Sequence, residues 1–264
     1  MKCTYEIHDV QPYINWAYFF YAWQVHRSDQ QQQVREEAEQ VLRTLDGKYR
    51  VYGLFRLFDA HSEGDDIVLS SSGMQHPCRC PFLRQQAPDS EHLCLADFVH
   101  PLHDRVGVFA TSVDHGLETD FDADPYQKMM VQLLADRLSE AAAEKLHEDV
   151  RKTYWGYAPD EQWSMADLHA EHFQGIRPAV GYPSLPDTSL NFVLDDLLQF
   201  KKIGIRLTES GAMKPHASVS GLMIALPAAH YFSIGKIGED QLADYAHRRG
   251  LPVETLRKFL STHL

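Results

Sequence analysis

No apolar stretch in this sequence approaches the roughly 20 residues a bilayer-crossing helix needs. The opening residues, MKCTYEIHDV, contain no apolar segment of the kind found in secretory leaders. A cytoplasmic location is therefore the expectation. There is no lysine- or arginine-rich run, and the formal net charge is −12. Neither nucleic acid nor an anionic membrane surface is an expected partner. Cysteine is scarce: Cys3, Cys78, Cys80 and Cys94 are too few and too scattered to frame 264 residues with disulfides. His76, Cys78 and Cys80 cluster in HPCRC, but the spacing is C-x-C and no second pair follows, so reduced, partly buried thiols are expected rather than a metal site. The motifs that announce common chemistries are missing too. There is no G-x-G-x-x-G, no G-x-x-x-x-G-K-[ST] and no G-x-S-x-G. His147 and Glu148 lack the second histidine of H-E-x-x-H. Nicotinamide, P-loop and zinc-protease readings thus have no support.

What is present suffices for a real core. Apolar residues make up 44% and charged residues 23% of the chain. Tyr13, Ile14, Trp16, Tyr18, Phe19, Phe20 and Trp23 predict a buried aromatic helix. A second helix is expected from Ser28, as N-cap, to Leu45. Alternating residues predict strands near 51–57, 65–70 and 106–113. Asp124 and Pro125 open the longest helix, reaching about Lys152. Ser164 and Asp167 form a weak capping box on a short helix. A helix near 190–202, strands at 204–208, 218–226 and 230–236, and helices at 238–249 and 252–262 complete the reading. Strands do not alternate regularly with helices, so the expected class is α+β with an antiparallel sheet. Asp59, His61 and Gly64 spell D-x-H-x-x-G, but the chain has no Gly-Gly dipeptide and no βα alternation, so a solvated turn is expected there.

The segment RPAVGYPSLPD, residues 177–187, is too stiff for a linker and too broken for a helix. Arg177 offers a planar fork of donors suited to a carboxylate. Gly181 permits a turn, and Tyr182 presents a ring face and a hydroxyl.

Longer motifs then follow in order: YINWAYFFYAW, GDDI, LRQQ, CLADFV, LADRL, RKTYWGYAPDE, QGIRPAVGYPSLPD, LTESGAM, PHASVSG, HYFSIGKI and DQLADYAHRRG. Together they resemble the activation domain of cobalamin-dependent methionine synthase, from about residue 6 to residue 260. The resemblance implies a twisted antiparallel β-sheet with flanking helices, and one such domain over 1–264. It implies S-adenosylmethionine as ligand, with Arg177 on its carboxylate. Ala179, Gly181, Tyr182 and the pair Tyr231–Phe232 on a late strand would line the site, with Glu140 and Glu171 nearby. Carboxylates such as Glu140, Glu171 and Asp187 would suit the ligand's cations, and aromatic faces its adenine and sulfonium.

Where the family has Y-I-D-W, whose aspartate helps hold the ligand's ammonium, this chain has Asn15, whose amide is expected to line the site and accept a hydrogen bond there without the charge. The family's P-E-H-T-E-K is replaced by Pro186, Asp187, Thr188, Ser189, Leu190 and Asn191. As a free-standing module, the chain is expected to act in trans on a separate cobalamin-binding methionine synthase chain. There it would support reductive remethylation of cob(II)alamin, with a flavodoxin-like or other electron donor. A binding homologue that has lost the ligand, or a reactivator of another corrinoid methyltransferase, are the alternative readings.

Overall fold

The computed structural model describes residues 1–264. Side-chain alternation builds an antiparallel sheet from β1 (Lys2–Tyr5), β2 (Val51–Glu63), β3 (Asp66–Ser70), β4 (Cys78–Pro81) and β5 (Asp104–Val113). A separate two-residue ladder joins β6 (Arg206–Leu207) to β7 (Met213–Lys214), and β8 (Ser218–Met223) returns to the main sheet. The order is β4-β3-β2-β5-β8, and β1 shares one edge of the long β2 with β3. Helices are α1 (Ile7–Val10), α2 (Trp16–Ala22), α3 (Ser28–Leu45), α4 (Gly116–Thr119) and α5 (Pro125–Asp149). They continue as α6 (Met165–His169), α7 (Leu190–Leu198), α8 (Glu239–Arg249) and α9 (Val253–Phe259). This is the α+β class expected.

Both faces of the sheet are covered. Leu54, Phe58, Val106, Val108, Ala110 and Leu222 meet Leu190, Leu194 and Leu198 of α7. Phe55, Phe109 and Met223 meet Ala143 and Leu146 of α5 on the other face. The period of two along each strand therefore sorts residues between two helical layers. The Thr111 hydroxyl donates to the Ser139 carbonyl at 2.9 Å, tying β5 to α5.

Four readings need correction. The aromatic helix is not buried throughout: α2 packs Phe19 inward, but Tyr18 and Tyr21 are 60% and 78% exposed. They lie three residues apart, on the stripe that a single packed face leaves over. No strand forms at 230–236, because the β8 edge it would join is already taken by residues 176–180. Ile176 and Ile224 exchange backbone bonds at 2.9 and 3.0 Å, and Val180 N–H donates to Ser220 at 2.9 Å. Asp59 and His61 sit inside β2, opposite Ser70 and Val68, so the turn is confined to its end, where Gly64 has φ +60°. At the helix starts, Arg27 rather than Ser28 is the N-cap of α3. Ser164 and Asp167 do form a capping box on α6.

Candidate functional site

The RPAVGY segment lies flat on β8 because Gly221 lets it. A Cβ at Gly221 would stand 2.1 Å from the Pro178 carbonyl oxygen and 2.9 Å from Ala179 Cα. Beyond that contact the chain turns at Gly181, whose φ of +88° suits glycine. Opposite runs α5, started by Asp124, whose carboxylate accepts from Tyr126 N–H at 2.9 Å and Gln127 N–H at 3.2 Å. Arg137, Glu140 and Glu144 recur at helical spacing and therefore share one face of α5.

Between these walls lies a cavity of about 770 Å³, within the ~300–1,000 Å³ range of small-molecule sites. Glu140 and Glu144 of α5, Glu171, Arg177, Ala179 and Tyr182 line it, with Tyr231 and Phe232 from the 230–236 segment. Tyr18 and Tyr21 of α2 stand along its wall, and both are largely exposed, as is half of Tyr182. The cavity is thus acidic and cationic within, aromatic along its exposed wall.

Arg177 is the best-held group. Its Nη2 donates to Glu144 Oε1, while Nη1 reaches Glu144 Oε2 at 3.4 Å and His147 Nδ1 at 3.1 Å. Its backbone N–H donates to the Tyr231 hydroxyl at 2.9 Å. Burial works against the guanidinium's charge, but Glu144 and the Tyr231 hydroxyl more than offset it and hold its pKa above the ordinary value. Arginine can only donate, so His147 Nδ1 accepts and the ring proton sits on Nε2, 3.2 Å from the Tyr157 hydroxyl. Tyr157 in turn donates to the Gln174 carbonyl at 3.4 Å. Burial, reinforced by the charges of Arg177 and Arg151, pushes the His147 pKa well below the usual histidine value. The imidazole is therefore a fixed neutral acceptor.

The acidic wall is tuned differently. Burial raises the Glu140 pKa despite an ion pair with Arg137 at 2.7 Å, and the Tyr182 hydroxyl lies 3.4 Å from Glu140 Oε1. Burial also raises the Glu171 pKa, and its backbone holds a left-handed φ of 60°, uncommon outside glycine.

Of the residues expected at the site, Arg177, Ala179, Tyr182, Tyr231, Phe232, Glu140 and Glu171 meet at the cavity, and Gly181 sets the turn beside it. Tyr231 and Phe232 arrive on irregular chain, not on a strand. Asn15 does not line the cavity: its side chain accepts from Ala17 N–H at 3.1 Å and caps α2. Asp187 is 1% exposed and already saturated, accepting from Tyr245 at 2.8 Å, Arg249 at 2.6 Å and Ser189, so it is not available to a ligand's cations. Asn191 is likewise internal, bonded to the Gly211 carbonyl and the Ser220 hydroxyl. Sequence reasoning missed Glu144, His147 and the exposed tyrosines of α2. The i+4 spacing from Glu140 was the signal for Glu144; His147 was weighed only as half of a zinc motif.

A crystal structure of the MetH reactivation domain bound to AdoHcy is 36% identical and superposes with a TM-score of 0.94, covering 100% of this chain and 90% of that one. Residues 6–250 match the model of the vitamin B12 dependent methionine synthase activation domain. With most of its length matched, and with the cavity built by the motifs that carry the likeness, the chain belongs to the family of vitamin B12 dependent methionine synthase activation domains.

Proposed function

We propose that this chain binds S-adenosylmethionine in the cavity between α5 and the 176–184 segment and presents its methyl group to cobalamin carried by a partner protein. The observation that carries this reading is Arg177, at the cavity wall, held by Glu144 and His147. The relative's bound AdoHcy is the demethylated form of that donor. The ligand's parts find matching chemistry. Arg177 suits the carboxylate. The carboxylates of the wall suit the ammonium and sulfonium, and the tyrosine faces suit adenine and sulfonium, a contact worth about 0.5–2 kcal/mol.

In the proposed reaction, reduced cobalamin of the partner supplies the nucleophile. After gaining one electron from a donor protein of the flavodoxin class, that cobalamin would supply the electron pair for the new cobalt–carbon bond, while the methyl carbon–sulfur bond would break with its pair left on sulfur and S-adenosylhomocysteine would stay in the cavity. This chain needs no general acid or base for that transfer. Its residues orient the sulfonium methyl outward and hold the amino-acid end still, which is where positioning contributes. The partner is a separate cobalamin-binding methionine synthase chain, and the aromatic wall of Tyr18, Tyr21 and Tyr182 flanks the cavity it would approach.

Isothermal titration with S-adenosylmethionine tests the reading. Micromolar binding by the parent, lost in Arg177→Ala, is expected. Absence of heat and of any thermal shift at millimolar ligand would remove it.

A further inference from the structure

Arg177 has one edge committed and one edge open. A guanidinium carries five N–H groups. The Nη1/Nη2 edge faces Glu144, and Nη1 also serves His147. Nε–H and the second Nη2 hydrogen meet no acceptor in the protein. That remaining pair is the side-on edge that grips a carboxylate bidentately. A ligand carboxylate can therefore dock without displacing Glu144, and both carboxylates then share Nη2. In a free α-amino acid the ammonium is bonded one carbon from the carboxylate, which brings it to the gap between the two.

The other acidic positions serve this gap less well. Glu140 is engaged by Arg137 at 2.7 Å. Glu171 makes no hydrogen bond to Arg177. Asn15 is neutral, and its carbonyl oxygen is occupied by Ala17 N–H at 3.1 Å. Glu144 and Arg177 are each mostly buried, 19% and 11% exposed, yet both border the cavity.

We propose that Glu144 is the ammonium-binding residue and forms with Arg177 a clamp selective for an unblocked α-amino-acid end. The proposal rests on the reading that the cavity takes an adenosyl amino acid. It gives Glu144 two tasks: bracing the guanidinium and receiving the ammonium. His147, held in turn by the Tyr157 hydroxyl, braces the same guanidinium from outside the cavity lining.

Calorimetry with two ligands separates the tasks. One is S-adenosylhomocysteine, whose neutral thioether leaves the ammonium as its only cation. The other is its 2-oxo analogue, in which the amine is replaced by a carbonyl oxygen. The parent is expected to prefer the amine about tenfold to a hundredfold, the range of a charge-assisted contact. Glu144→Gln, nearly identical in shape, is expected to erase that preference while leaving the 2-oxo analogue within about threefold of the parent. Glu144→Asp, which keeps the charge, is expected to retain a preference of the same sign, and melting curves confirm that each variant is folded. Asn15→Asp is expected to leave the preference as in the parent. The clamp is overturned if Glu144→Gln weakens both ligands equally, which would leave Glu144 only a brace for Arg177. It is also overturned if the preference survives in Glu144→Gln and changes in Asn15→Asp. A parent that binds both ligands alike sinks the clamp alone, whereas a parent that binds neither, nor S-adenosylmethionine, sinks the functional reading beneath it.

Discussion

Two arginine–carboxylate pairs flank the RPAVGYPSLPD segment, and they are built to opposite ends. At its C-terminal end Arg249 and Asp187 are 6% and 1% exposed, and Tyr245 and Ser189 fill the remaining sites on the carboxylate. At its N-terminal end Arg177 and Glu144 border a cavity, and the guanidinium keeps an unused edge. The chemistry is the same and the satisfaction is not. A saturated pair fastens α8 to the segment; an unsaturated pair is left to meet something else. The number of donors and acceptors still free, rather than burial or charge alone, is what separates fastening from recognition.

The largest effect should come from breaking the saturated pair. Arg249→Ala strands the Asp187 carboxylate in the core and is expected to cost about 3–5 kcal/mol of stability in urea unfolding. Arg177→Ala should unfold less readily than Arg249→Ala, since Glu144 can regain water. Its expected loss is in ligand affinity, about 2–3 kcal/mol, or roughly thirtyfold to more than a hundredfold in Kd by calorimetry. If the two variants lose stability equally, the contrast between the pairs fails.

A smaller effect should follow pH. The unfolded chain binds a proton at His147 below about 6.5, and the folded chain, with its depressed value, does not. Stability is therefore expected to fall as pH drops below that point, and His147→Gln should flatten the slope by up to about 1.4 kcal/mol per pH unit. An unchanged slope in denaturation midpoints between pH 7.5 and 5.5, roughly the window where histidine titrates, would mean that the ring is protonated in the fold. The smallest effect belongs to Tyr182→Phe, because its hydroxyl stands 3.4 Å from Glu140. A change in Kd within about 0.5 kcal/mol is expected, and a larger one would place that contact among the tight ones.

Much of this was legible in the residues. Asp124–Pro125 opened α5 as capping chemistry requires, and Gly250, with φ of 64°, closed α8. Arg177 was marked by its stiff surroundings before any cavity was visible. What the residues hid is what depends on neighbours distant in sequence. Nothing near Asp187 reveals that Arg249 will consume it. Nothing in HYFSIGKI reveals that β8 has already been paired by 176–180, so an extended, apolar stretch read as a strand. Tyr18 looked like core because aromatic content does not say which stripe of a short helix finds a partner. Glu144 could be placed by spacing, but only the fold gives it Arg177.

The pairing of 176–180 with β8 has a consequence unrelated to any ligand. At the other end of the sheet, β4 is four residues long and ends on Pro81, so that boundary offers little for another chain to add to. At the β8 end, the backbone bonds of Ile176, Pro178 and Val180 occupy the groups that an incoming strand would seek. The same residues that shape the cavity thus also cover the backbone groups of β8. Loosening them should therefore show as aggregation as well as weakened binding, since Arg177 is one of them.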